Sequence, residues 1–124
     1  MNSSKETHYS RKKSATRVIF DVIGGKWTIS IIRALQENTL RFHEIQKALP
    51  DTKQKVLTAA LRRLERSGIA QRTIYPTVPP QVEYKLTPLG LDLLKLSDFL
   101  IEWVAMHEEE IKRAQKSYDR RNKS

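Results

Sequence analysis

Apolar residues recur with helical spacing along most of the chain, interrupted once by a β-rich stretch. After a polar opening without periodicity (MNSSKETHYSRK), Ala15, Val18, Ile19, Val22 and Ile23 fall at i, i+3, i+4, i+7 and i+8 and predict a short helix. Phe20 lies on its opposite side. Gly24-Gly25 supplies the permissive backbone that ends it. Trp27, Ile31, Ile32 and Leu35 mark a second helix ending near Glu37-Asn38. Thr39 to Arg41 is long enough only for a strand stub. Phe42, Ile45, Ala48 and Leu49 predict a two-turn helix closed by Pro50. A fourth helix is expected from about Lys53 to Ser67, with Asp51 or Thr52 at its N-cap and Gly68 just beyond its end.

Residues 69–75 (IAQRTIY) and 82–86 (VEYKL) are β-rich and joined by PTVPPQ, which predicts a hairpin. Thr87-Pro88 then opens a long helix, the hydroxyl capping it and the proline taking the first helical position. Leu89, Leu93, Leu96, Leu100 and Trp103 form one stripe on this helix, and Leu94, Ile101 and Val104 an adjoining one. Two stripes exceed what one small core needs, so the helix reads as a dimer arm. The order of elements predicts a mainly α fold with a small β-hairpin: a winged helix-turn-helix with a long C-terminal dimerisation helix. Residues 1–13 read as a disordered basic arm, 14–111 as the folded domain and 112–124 as a charged flexible tail. No internal repeat is visible.

Composition narrows the function. With 124 residues, 39% of them hydrophobic, the chain matches one domain with a real core. No apolar run reaches membrane-spanning length and no secretory leader is visible, which suggests a cytoplasmic protein without a membrane partner. There is no cysteine, and so no disulfide, thiolate ligand or thiol nucleophile. Lys plus Arg number 23 against 14 Asp plus Glu, a net charge of +9. Residues 41–72 alone carry eight basic groups against Glu44, Asp51 and Glu65. The excess belongs to the folded part and favours a polyanionic partner.

A wheel drawn at about 100° per residue sorts the fourth helix. Leu57, Ala60, Leu61 and Leu64 share one side, built to dock on a core. Lys55, Thr58, Ala59, Arg62 and Arg66 cluster within about 100° on the other. That face offers cations, one hydroxyl and one small residue permitting close approach. Gln54 and Lys55 occupy the first turn, where a recognition helix presents side chains to base edges. A solvated basic surface helix would show the same wheel, but the preceding short helix and following hairpin favour DNA reading. Arg41, Lys47 and Arg72 would supply phosphate contacts.

Catalytic chemistry finds no footing. His8, His43 and His107 are scattered without metal-ligand spacing, and Ser10, Ser14 and Ser30 lack a nucleophile-elbow context. Gly24-Gly25-Lys26 lacks the spacing of a phosphate loop. Glu108 to Glu110 read as a solvated acidic run. Neither an enzyme nor a bound cofactor or metal is expected.

The segments DVIGGKW (21–27), RFHEI (41–45), LTAALRRLERSGIAQRTIYPTVPPQVEY (57–84) and KLTPLG (85–90) resemble the HxlR-type winged-helix transcriptional regulators. The resemblance spans residues 14–107. It implies a homodimeric bacterial regulator whose first and last helices hold the dimer, each subunit presenting a recognition helix and wing to half of an inverted repeat of double-stranded DNA. DNA contacts are then expected from Arg41, Lys53, Gln54, Lys55, Thr58, Ala59, Arg62, Arg66 and Gln81. Dimer contacts are expected from Val18, Phe20, Leu94, Leu100, Ile101 and Val104.

The chain departs from the family at three positions. Many relatives sense oxidants through a cysteine just before the first helix, where this chain has Ser14. Wings of relatives commonly read VPPRVEY, whereas Gln81 follows Pro80 here, a weaker ligand for a narrow minor groove. Lys53 stands where a small hydroxyl residue is usual, adding a charge while putting the helix cap in doubt. A protein adaptor and a general nucleic-acid binder are the competing readings. A small-molecule effector, held between the long helix and the bundle near Trp27 and Trp103, is a further candidate partner.

Overall fold

A computed structural model describes the backbone of residues 2–123 and the side chains of residues 11–123. Its elements run α1 (Asn2–Ile23), α2 (Thr28–Leu35), β1 (Leu40–Arg41), α3 (Phe42–Ala48), α4 (Gln54–Arg66), β2 (Ala70–Tyr75), β3 (Gln81–Leu86) and α5 (Pro88–Arg121). The chain divides into two compact units, Met1–Leu94 and Lys95–Ser124. The first holds the winged helix-turn-helix and the second the distal part of α5.

The core lies where α2, α3 and α4 meet the base of the wing. Ile31, Ile32 and Leu35 come from α2, Ile45 from α3, and Leu57, Ala60, Leu61 and Leu64 from α4. Ile69, Ala70 and Leu86 close it from the wing, with Val22, Trp27, Leu91, Leu93 and Leu94 packed around it. The inward side of α4 is the one its wheel indicates. At about 1.5–3 kcal/mol for each fully buried large aliphatic side chain, this face docks the helix and leaves the opposite one to solvent.

Three end signals hold α4 and α5 in place. Gly68 has φ +73, a conformation glycine adopts without strain. It lets the Ile69 N–H reach the Leu64 carbonyl at 2.9 Å while its own N–H bonds the Glu65 carbonyl at 3.1 Å, a Schellman closure. The Thr87 hydroxyl accepts the Gly90 N–H at 3.1 Å and lies 2.6 Å from the Gly68 carbonyl, tying the start of α5 to the end of α4. A side chain at Gly90 would run into the Ile69 backbone carbonyl, so only glycine permits this approach.

The stub β1 does more than the sequence indicated. It pairs antiparallel with β3, placing Leu40 opposite Tyr84 and Arg41 opposite Glu83. The sheet is therefore three-stranded, in the order β1-β3-β2. The hairpin register sets Arg72 opposite Tyr84 and Tyr75 opposite Gln81.

Other boundaries also differ from expectation. Helix α2 stops at Leu35, because Gln36 takes φ 49 and ψ −126 and bonds back to the Ile32 carbonyl. Neither Asp51 nor Thr52 caps α4. Thr52 is buried with its hydroxyl unpartnered, and Lys53, extended at φ −72 and ψ 146, takes the cap position without a side-chain cap bond. The Thr52 N–H bonds the Leu49 carbonyl at 3.0 Å, and that turn moves the helix start one residue later.

The arm expected at 1–13 continues α1 from Asn2, and the tail expected from 112 continues α5 as far as Arg121; Met1 and Ser124 lie outside the described residues. Neither stretch contains glycine or proline, so no strong helix breaker interrupts either one. In α5, Lys112 pairs with Glu108 at 2.8 Å, holding that carboxyl below its ordinary range, and Arg113 with Glu109 at 3.8 Å.

Candidate nucleic-acid interface

Helix α4 emerges from the core with Lys53, Gln54, Lys55, Ala59, Arg62 and Arg66 exposed and Thr58 half-buried. Thr58 donates its hydroxyl proton to the Gln54 carbonyl at 2.8 Å. Gln54, Lys55, Thr58, Ala59 and Arg62 thus share one face, with Lys53 at the cap before it.

The two flanks of that face differ. Taking Lys55 as zero, Glu65 lies at about −80° and Arg63 at about +80°. On the Glu65 flank stands the wing. Arg72 of β2 places its Nε 3.3 Å from the Glu65 carboxylate, so the cation expected to meet phosphate already has an acidic partner within the fold. Tyr84, behind this pair, has its phenol raised above its ordinary range. Burial is the chief cause, and Glu65 adds to it against Arg72 and Arg62.

Arg41 does two jobs at the wing base. Its backbone N–H donates to the Glu44 carboxylate at 2.9 Å, fixing the start of α3. Its guanidinium donates through Nη2 to the Gln81 amide oxygen at 2.8 Å. Strand alternation puts Arg41, Gln81 and Glu83 on one face of the sheet, away from the buried Leu86 and Ala70. Gln81, a neutral substitute in the family comparison, is thereby a holder of the neighbouring arginine. The wing tip carries Val78 fully exposed, and Thr77 closes the turn by donating to the Pro79 carbonyl at 2.7 Å. Lys47 is exposed at the end of α3.

On the opposite flank the α1–α2 turn borders α4. A groove of about 300 Å³ is lined there by Gly25, Lys26, Trp27, Lys55, Ala59 and Arg63, among others. Farther along α4, Arg62, Arg63 and Arg66 line a second groove with Phe20 and Asp21. All three arginines therefore border the end of α1, Arg66 being the farthest of them from the first turn of α4. Neither Lys26 nor Arg63 is among the expected DNA contacts: Lys26, dismissed as part of a phosphate loop, lies outside α4, and Arg63 falls between the two faces of the wheel.

These observations describe a winged helix with an exposed, cation-rich second helix. The HxlR-like helix-turn-helix family matches residues 22–112. The chain belongs to that family. An HTH-type transcriptional regulator of Methanothermobacter thermautotrophicus is 42% identical over 93 residues, covering 75% of this chain and 71% of the relative. YtfH of Escherichia coli, also an HTH-type transcriptional regulator, is 32% identical over 107 residues, covering 86% and 85%. Among solved structures, the redox regulator HypR in its reduced form is similar with a TM-score of 0.73 at 34% identity, over 80% of this chain and 98% of that one. The present HxlR-type chain is accordingly a transcriptional regulator with a helix-turn-helix DNA-binding fold.

Of the expected dimer contacts, Val18 and Phe20 on α1 are exposed, Phe20 to 68%. In the distal α5 unit Leu100, Ile101 and Val104 are exposed as well. Leu94 is different. It is half-buried and packs against the core of its own chain, because the first turns of α5 still lie over that core. Trp103, the other tryptophan considered for a core or effector role, is 53% exposed and stacks on His107 at a centroid distance of 4.8 Å. Trp27 is half-buried against the core of its own unit. Among the described residues no helix is long and apolar enough to cross a membrane, and no cluster of His, Asp or Glu could hold a metal.

Proposed function

We propose that the protein is a homodimeric regulator that reads an inverted-repeat operator in double-stranded DNA. The observation that carries this is the face of α4, where Gln54, Lys55, Thr58, Ala59 and Arg62 stand together above a fully docked apolar side. Gln54 and Lys55 suit purine edges in the major groove, Ala59 admits the duplex closely, and Thr58 accepts a hydrogen bond or meets a thymine methyl. Lys53, Arg62 and Arg66 serve phosphates, and Arg41, held by Gln81, brings the cation at the wing base. Two such helices about one DNA turn apart would read a near-palindrome.

The dimer rests on apolar side chains that neither unit covers by itself: Val18 and Phe20 on α1, and Leu100, Ile101 and Val104 on distal α5. Each unit thus offers exposed large apolar side chains of its own, which supports an apolar contact with a second copy. With no cysteine in the chain, sensing through a thiol has no group to act on.

Fluorescence anisotropy across a salt series tests the reading, using the duplex upstream of the protein's own gene beside a shuffled duplex. A sequence preference that persists as salt rises is expected, with Lys55→Ala and Arg62→Ala each weakening binding while the dimer stays folded. Equal, steeply salt-sensitive binding to both duplexes by the parent would replace this reading with general nucleic-acid binding. Sedimentation of Phe20→Glu and Ile101→Glu should show monomers. Dimers from both variants would remove the assigned interface.

A further inference from the structure

We infer that Lys26, backed by Arg63, forms a second phosphate-binding flank on the side of α4 opposite the wing, gripping the other strand of the same duplex. The inference rests on the reading of α4 as the major-groove helix and extends it to residues outside that helix.

A helix seated in the major groove has a phosphodiester strand on each side, because the groove is only about 12 Å wide. The wing lies toward one strand, on the Glu65 side of the wheel. The other strand must run past the residues near Arg63, and the neighbouring segment there is the turn Gly25-Lys26-Trp27. This flank has the sign a phosphate needs. Its lining includes Lys26, Lys55 and Arg63 and no carboxylate. Among the described residues none of the three is in an ion pair, whereas Arg72 on the wing flank is held by Glu65 at 3.3 Å.

Lys26 is also held in place. Its Nζ stands 5.5 Å from the centroid of the Trp27 ring, and that ring packs against the core. A cation resting on an anchored indole loses less freedom on meeting a phosphate than a free surface lysine does. Arg63 reaches the same turn: its Nη1 lies 2.7 Å from where a Cβ on Gly25 would stand.

The test compares Lys26→Gln, Lys26→Arg and Lys55→Ala with the parent, by anisotropy on the upstream duplex and on a shuffled one, across a salt series. Thermal melts by circular dichroism confirm that each variant is folded. Lys26→Gln should lower the slope of log K against log salt by about 0.9 for each Lys26 engaged, and weaken both duplexes by the same factor. Lys26→Arg should restore slope and affinity. If Lys55→Ala weakens binding while Lys26→Gln leaves slope and affinity unchanged, this flank touches no phosphate and the inference falls alone. A loss confined to one duplex also overturns it, since that would be base reading. A parent that binds neither duplex even at low salt overturns the inference together with the DNA reading beneath it.

Discussion

Replacing Lys53 with serine should make the protein more stable and a weaker DNA binder. Lys53 occupies the N-cap of α4 with φ −72 and ψ 146, the extended geometry of a capping residue, yet makes no side-chain cap bond. Its carbonyl already accepts the first helical bond, from the Leu57 N–H at 2.9 Å, so the amides of residues 54–56 precede any helical partner. A serine Oγ there would accept one of them, worth about 1 kcal/mol. Removing a cation from the positive end of the helix dipole adds about 0.3–1 kcal/mol. The sum is about 1–2 kcal/mol, or about 4–8 °C in Tm for a chain of this length. Against DNA, each lost phosphate contact removes about 0.9 from the salt slope, about eightfold in affinity at 0.1 M salt, and about 60-fold for two subunits. Lys53→Gln separates the two effects, losing the charge without gaining the cap. Urea melts at equal protein concentration give stability, and anisotropy across salt gives the slope. A Lys53→Ser variant no more stable than Lys53→Gln would refute the cap argument. An unchanged salt slope in both variants would remove Lys53 from the interface.

Thr87→Ala should cost about 1–3 kcal/mol, since it uncaps α5 and strips a partner from the buried Gly90 amide, whereas Thr87→Ser should stay near the parent in the same urea melts. Gln36→Gly should stabilise by about 1 kcal/mol, because φ 49 with ψ −126 strains any residue with a Cβ, and a melt at matched concentration reads it directly. The raised phenol of Tyr84 gives a signed pH dependence: burial favours the neutral ring in the folded state, so its contribution is complete below pH about 10. That contribution is lost as pH rises through the folded pKa. Tyr84→Phe should lose less stability than the parent between neutral and strongly alkaline pH, and phenolate absorbance should show one late-titrating tyrosine missing.

The readable parts of this chain are those whose physics is local. Leu57, Ala60, Leu61 and Leu64 recur at helical spacing among charged neighbours, so the inner face of α4 needs no partner to identify it. Gly68 and Thr87-Pro88 stop and start helices through their own backbone chemistry, and both stand where the sequence put them. What stayed hidden depends on partners far away in the chain. The strand stub at Leu40 and Arg41 could be seen, but its partner could not, since β3, which pairs with it, lies some forty residues on. The cap of α4 moved by one residue because the Thr52 amide closes a turn onto Leu49. Leu94 looked like part of a second stripe, and only the length of core beneath α5 assigns it inward.

The basic residues show the same limit in a form that bears on function. Arg62, Arg63, Arg66 and Arg72 are indistinguishable as sequence, four cations within one basic segment. The fold gives them different surroundings: Arg72 pairs with Glu65, Arg62, Arg63 and Arg66 all border the end of α1 beside Asp21, and of these only Arg63 also reaches the groove of Lys26 on the far flank. The net charge of residues 41–72 therefore overstates the charge available beside the wing and misses the lysine that lies outside that segment. Salt dependence of DNA binding counts the phosphates neutralised in the complex, regardless of the cations written in the chain. The Lys26 and Arg63 flank should contribute to that count, and Arg72 should not.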